Sequence, residues 1–168
     1  MNTSIDPARL RPSRLWKRLP EPSRVKAALA FWNEEDLEAE QMQAVTAIAQ
    51  QRKFRAKSVM SLPVETRARY LATLPTISEP LAARALVAYH LDAQRPMMSA
   101  FLDDLGIAHD QGAIADEEIK PPDQEKLAAA ASKLAKTFAA SDVAIYLSTL
   151  LCQDPGTWAG LAELPELT

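Results

Sequence analysis

The chain has 168 residues, a net charge of −3, 48% hydrophobic and 24% charged residues, and one cysteine, Cys152. This composition excludes a disordered or fibrous chain; the lone cysteine excludes an intrachain disulfide and favours a reducing, cytoplasmic setting for a bacterial-type protein. No apolar stretch reaches the ~20 residues that span a bilayer, and a chain of this size can bury about 70% of its unfolded surface without help from a metal.

Arginines and serines in the first twenty residues would suit a transit peptide, but Asp6, Pro7 and Pro12 break that pattern, so the N-terminus is expected to be retained. Ser13 then reads as the cap of a short helix through Leu19, with Leu15, Trp16 and Leu19 on one face. Ser23 reads as the cap of a second, in which Val25, Ala28, Leu29 and Trp32 recur at helical spacing. Asn33 and Asp36 read as the opening of a third helix, with Leu37, Met42, Val45, Ile48 and Ala49 as its stripe. A turn near 56–60 leads to Pro63, which starts a helix carrying Tyr70 and Leu71. Ser78 caps the stretch "EPLAARALVAYHL", whose apolar residues run almost all round and mark it as buried.

Pro96 opens "RPMMSAFLDDLG", with Met97, Met98, Phe101, Leu102 and Leu105 facing inward and Gly106 as its C-terminal stop. An acidic loop, 106–118, follows. Pro121, Pro122 and Asp123 start a helix bearing Leu127, Leu134 and Phe138. Ser141 or Asp142 caps another, with Val143, Tyr146, Leu147, Leu150 and Leu151, and a last turn lies near 158–164. No run alternates apolar and polar residues, so no strand is expected. The predicted fold is all-α: about eight short helices in one domain, 1–168, divisible at most into halves 1–105 and 119–168 joined by the acidic loop. The three tryptophans, Trp16, Trp32 and Trp158, are expected in the core.

Leu19-Pro20 recurs as Leu62-Pro63, and at the same offset of 43 residues Ser23, Arg24 and Lys26 match Thr66, Arg67 and Arg69. A period of this size fits HEAT-like helical pairs across residues 19–92, but no third copy follows, and a helix-start signal used twice is the favoured reading.

The stretch "GIAHDQGAIADEE" imitates the back half of a calcium loop: with Gly112 at its sixth position, Glu118 falls at the twelfth. The first, third and fifth positions would be Ile107, His109 and Gln111, and an isoleucine cannot supply the oxygen that calcium needs. A transition metal is a better candidate, because His90, Asp103, Asp104, His109 and Asp110, with Asp92, lie close in sequence and imidazole with carboxylate suits Zn, Mn or Fe. The His109-Asp110 pair resembles the His-Asp pair of helical phosphohydrolases that hold two metals. The resemblance covers two residues, and in that pattern the pair sits on a helix, whereas here it falls in a loop. It would imply a metal-dependent hydrolase.

Other chemistries find less support. The first 105 residues contain no glycine, which excludes a glycine-rich phosphate loop there, so neither nucleotide nor other cofactor is expected. Cys152 ends an apolar helix, where a thiol is ordinarily inert.

Charge is uneven. Residues 1–75 carry 13 Lys/Arg against 8 Asp/Glu, and residues 76–168 carry 6 against 14. Two basic runs stand out, one from Arg9 to Lys26 and one formed by Arg52, Lys53, Arg55, Lys57, Arg67 and Arg69 near Phe54. Cations with nearby aromatics could follow a nucleic-acid backbone, but the acidic pI of about 5.5 weighs against it. The sequence therefore favours a non-catalytic protein for protein–protein interaction or assembly, with another protein or a second copy as partner. Arg14, Lys17, Arg18, Arg67 and Arg69 are the candidate contacts. A metal-dependent hydrolase and nucleic-acid binding through the basic half are the alternatives.

Overall fold

In a computed structural model, which describes residues 4–167, the protein is all-α. The first residues of the N-terminal segment weighed above lie outside the described ones. Among the described residues no helix is long and apolar enough to cross a membrane.

The chain divides into two compact units, Pro12–Ala93 and Met1–Arg11 with Gln94–Thr168. The acidic loop lies inside the second unit, so the division falls after Ala93 and not at residues 106–118.

The first unit holds six helices: α1 (Pro12–Arg18), α2 (Glu21–Asn33), α3 (Glu38–Arg52), α4 (Ala56–Met60), α5 (Val64–Ala72) and α6 (Glu79–Ala93). Helix α6 is the central one, packed against α1, α2 and α3, while α2 also packs on α5. Alanines permit the close approach: Ala28 of α2, Ala44 of α3, Ala68 of α5, and Ala82 and Ala85 of α6 are fully buried. Around them lie Trp16, Phe31, Ile48, Leu71, Leu81 and Leu86, all buried, with Phe31 edge-on to Trp32 at 5.3 Å between ring centroids. The repeated Leu-Pro has a structural counterpart. Pro20 and Pro63 precede α2 and α5 with nearly the same backbone, ψ 147° and 146°, and each helix is followed by one of fifteen residues, α3 or α6.

The helix starts correct three readings. Helix α2 begins at Glu21, ahead of Ser23, because Pro20 and Pro22 preset the first turn. Helix α3 begins at Glu38, since Asp36 adopts a left-handed φ of 63°. Ser13 does not cap α1. Its N–H and hydroxyl instead donate to the Glu79 carboxylate, at 3.0 and 2.6 Å, which joins the starts of α1 and α6. Gln41 performs the complementary task at the end of α2: its side-chain amide donates to the carbonyls of Phe31, Trp32 and Glu34 at 3.0–3.3 Å. The stretch near 56–60 is a short helix, not a plain turn.

The second unit contains α7 (Arg95–Leu105), α8 (Gln124–Thr137), α9 (Ala140–Gln153), α10 (Pro155–Trp158) and 3-10 turns at Ala159–Glu163 and Pro165–Leu167. Every residue of α9 from Val143 to Leu151 is buried, so it is the core helix. Phe101 of α7 meets the rings of Tyr146 and Trp158 at 5.7 and 6.0 Å. Gly106 closes α7 at φ 67°, as its position suggested, and Asp123 caps α8 by accepting from the Lys126 N–H. Helix α9 starts one residue before Ser141 and without a side-chain cap. The N-terminal stretch is pinned to this unit by the Ile5 N–H, which donates to the Ala162 carbonyl at 2.9 Å.

One expectation fails outright. The acidic loop contains strands β1 (His109–Asp110) and β2 (Ala113–Ile114), paired antiparallel with Asp110 opposite Ala113. Gln111 and Gly112 form the two-residue turn at φ 48° and 92°; both positive, these suit the type I′ hairpin. A Cβ on Gly112 would stand 2.7 Å from the Cβ of Met98, so the turn also needs glycine for space.

Candidate partner-binding surface

The His/Asp group resolves into separate structural roles. The Gly112 N–H donates to Nδ1 of His109 at 3.0 Å, and Nε2 of the same ring lies 2.7 Å from the Asp103 carboxylate. The tautomer carrying its proton on Nε2 satisfies both contacts, so each ring nitrogen is engaged and the imidazole braces the hairpin against α7. Arg95 adds a second brace, donating to the Gln111 carbonyl at 2.8 Å. Asp104 accepts from Lys133 of α8 at 3.1 Å, and Asp110 is exposed on β1.

His90 lies in the other unit, 3% exposed near the end of α6, where its Nδ1–H donates to the Leu86 carbonyl one turn back at 2.8 Å. Burial lowers its pKa to about 4, so the ring is neutral at pH 7. Among the described residues no group of three or more His, Cys, Asp and Glu side chains is placed to hold a metal ion. Tyr146, a phenol in the core of the second unit, has its pKa pushed up by burial and stays protonated. Cys152 is half-buried at the end of α9.

The basic candidates divide between structural work and exposure. Lys17 donates to the Pro75 carbonyl at 2.8 Å, and the Arg67 guanidinium stacks 4.9 Å from the centre of the Trp32 ring. Both side chains have positions fixed by their own unit. Arg14, Arg18 and Arg69 are exposed. All three tryptophans are buried, Trp32 least so at 9% exposed.

A more distinctive surface joins the end of α3, the connector to α4 and the outer side of α5. Lys53 closes α3 in the left-handed region at φ 57°, which turns the chain sharply. Phe54 emerges from this turn 43% exposed and lies 6.4 Å from the Tyr70 ring of α5. The Arg52 guanidinium covers a face of that same ring at 4.1 Å. Met60, at the end of α4, is 53% exposed. Arg52, Lys53, Arg55 and Lys57 on this stretch, and Arg69 beside Tyr70 in sequence on α5, are all exposed; among the described residues of this unit none of them pairs with a carboxylate. This basic ledge combines uncompensated charge with solvated aromatic and thioether surface.

The cations and Phe54 were visible in the sequence as a basic run with an aromatic inside it. Met60, three residues after Lys57, was overlooked, and Tyr70 was hidden because its nearness to that run depends on α5 packing back toward α3. A second exposed feature is a groove of about 480 Å³ along α3, lined by Met42, Thr46 and Gln50 and closed by Ser78 and Pro80. Its lining carries no charged side chain.

Compared with known proteins, the chain matches no family model, and no curated protein or solved structure is similar to it.

Proposed function

We propose that the protein is a non-catalytic helical module that docks an acidic protein partner on the basic ledge. The observation that carries this reading is the set of exposed cations without a carboxylate partner in their unit, Arg52, Lys53, Arg55, Lys57 and Arg69, on the same α3–α5 stretch as solvent-facing Phe54 and Met60. Aromatic, methionine and arginine side chains supply the anchoring part of protein interfaces, and an uncompensated charge field speeds the approach of an oppositely charged partner.

Two features favour a protein over a single-stranded nucleic acid. Base stacking uses several open aromatic faces in a row, and the ledge offers Phe54 alone, since Trp16 is buried and Arg52 already covers one face of Tyr70. The exposed thioether of Met60 adapts to an irregular apolar partner and has no role on a phosphate backbone.

Anisotropy of a labelled glutamate-rich peptide and of a labelled single-stranded oligonucleotide tests the reading. The expected result is peptide binding that weakens about tenfold in the double variant Arg55→Ala/Lys57→Ala, the loss for about 1.4 kcal/mol. Oligonucleotide binding without peptide binding would overturn it.

A further inference from the structure

We infer that the ledge's partner is the acidic segment of a second copy of this chain, an inference that rests on the docking role proposed above. The segment from Gly106 to Glu125 exposes Asp110, Asp116, Glu117, Glu118, Asp123 and Glu125 against one cation, Lys120. Among the described residues of its own unit, none of these carboxylates forms an ion pair. The ledge presents five unpaired cations, so the two surfaces are opposite in sign and close in magnitude.

The part of the acidic segment that bears Asp110 is also held in shape before any partner arrives. His109 and Arg95 tie the hairpin to α7, and the two prolines at 121 and 122 restrict the backbone that leads into α8. A preformed surface loses less conformational entropy on docking than a flexible tail does. Ile119, half-buried within the segment, offers apolar surface to meet Phe54 and Met60.

The contact joins two different patches, so it is heterologous. Each copy keeps one free ledge and one free segment after the first contact, and growth continues into a ring or an open chain. Association therefore rises with concentration past the dimer, and salt dissolves it because both surfaces are solvent-exposed.

Sedimentation velocity of the full chain, at about 50 mM and about 500 mM salt, reads this directly, since the Debye length falls from roughly 14 Å to roughly 4 Å across that range. The expected result is concentration-dependent species larger than a monomer at low salt and monomer alone at high salt. Two charge reversals refine it: Arg55→Glu/Lys57→Glu on the ledge and Glu117→Lys/Glu118→Lys on the segment. Each variant alone stays monomeric with an unchanged circular dichroism spectrum, and mixing the two restores association. A wild-type chain that stays monomeric at low salt, or association that survives both reversals, would overturn the inference. A monomer whose ledge still binds the glutamate-rich peptide overturns this inference alone, whereas loss of peptide binding removes the docking role beneath it.

Discussion

The hairpin between α7 and α8 and the ledge at 52–60, from the end of α3 through α4, are both polar stretches, and they use their polar groups in opposite ways. In the hairpin, both nitrogens of His109 are engaged and the Gln111 carbonyl accepts from Arg95. In the ledge, Arg52, Lys53, Arg55 and Lys57 flank in sequence an aromatic ring, Phe54, that faces solvent. A histidine beside an aspartate suggests chemistry on paper, yet here its contacts fix the backbone. A basic run suggests only a solvated face, yet here it borders exposed apolar surface. What separates the two is whether a polar group is already satisfied inside the fold, and that depends on tertiary packing.

The largest expected effect concerns His90, which extends the contrast to a fully buried imidazole. Its folded pKa of about 4 lies below the ordinary 6.5, so the unfolded chain takes up a proton at a higher pH than the folded one. Its contribution to stability is complete above pH 6.5, falls as the pH drops toward 4, and changes no further below that. The span is about 3 kcal/mol. Denaturant titrations at pH 7 and pH 4 measure it, and the difference between wild type and His90→Leu isolates this group from the carboxylates. Equal losses in the two proteins would show that His90 charges without cost.

Next comes the turn of the hairpin. Gly112→Ala must hold a methyl group at φ 92° and 2.7 Å from the Met98 Cβ, where backbone strain and overpacking act together. The expected loss is about 2–3 kcal/mol, read as a lower denaturation midpoint. His109→Ala removes the acceptor of the Gly112 N–H and the partner of Asp103, for about 1–2 kcal/mol. The Asp103 carboxylate is exposed, so Asp103→Ala costs less than His109→Ala. The reverse order would mean that the ring is held by the carboxylate and not by the backbone.

Much of the fold could be read in the sequence because its boundaries are local. Pro96, Gly106 and Asp123 act within a turn of where they stand, and the apolar stripes of α7 and α9 face the core as their spacing implied, with Leu105 half-buried. Of the α8 stripe, Leu127 and Leu134 do so, whereas Phe138 lies past the helix end. The failures involve distant partners. Ser13 looked like a cap, but the acceptor at that helix start is Glu79, 66 residues away. The strands of the hairpin are two residues long, too short to show a period. Arg67 looked free for a partner, yet it stacks on Trp32, 35 residues earlier in the chain. The ledge was half visible: its charge is sequential, whereas its apolar border is assembled by α4 and α5.

The smallest expected effect on stability is the most informative about the ledge. Arg55→Ala/Lys57→Ala removes two exposed cations that pair with nothing in their unit, so stability should move by less than about 0.5 kcal/mol. Arg67→Ala, on the same basic half, removes a guanidinium from the Trp32 face and should cost about 1 kcal/mol. Equilibrium denaturation followed by tryptophan fluorescence separates the two, and peptide binding should order them the other way, with the stable variant losing more affinity. If the exposed pair proved the costlier to fold, those cations would be part of the packing of α4, and the surface left for a partner would shrink to Arg14, Arg18 and Arg69.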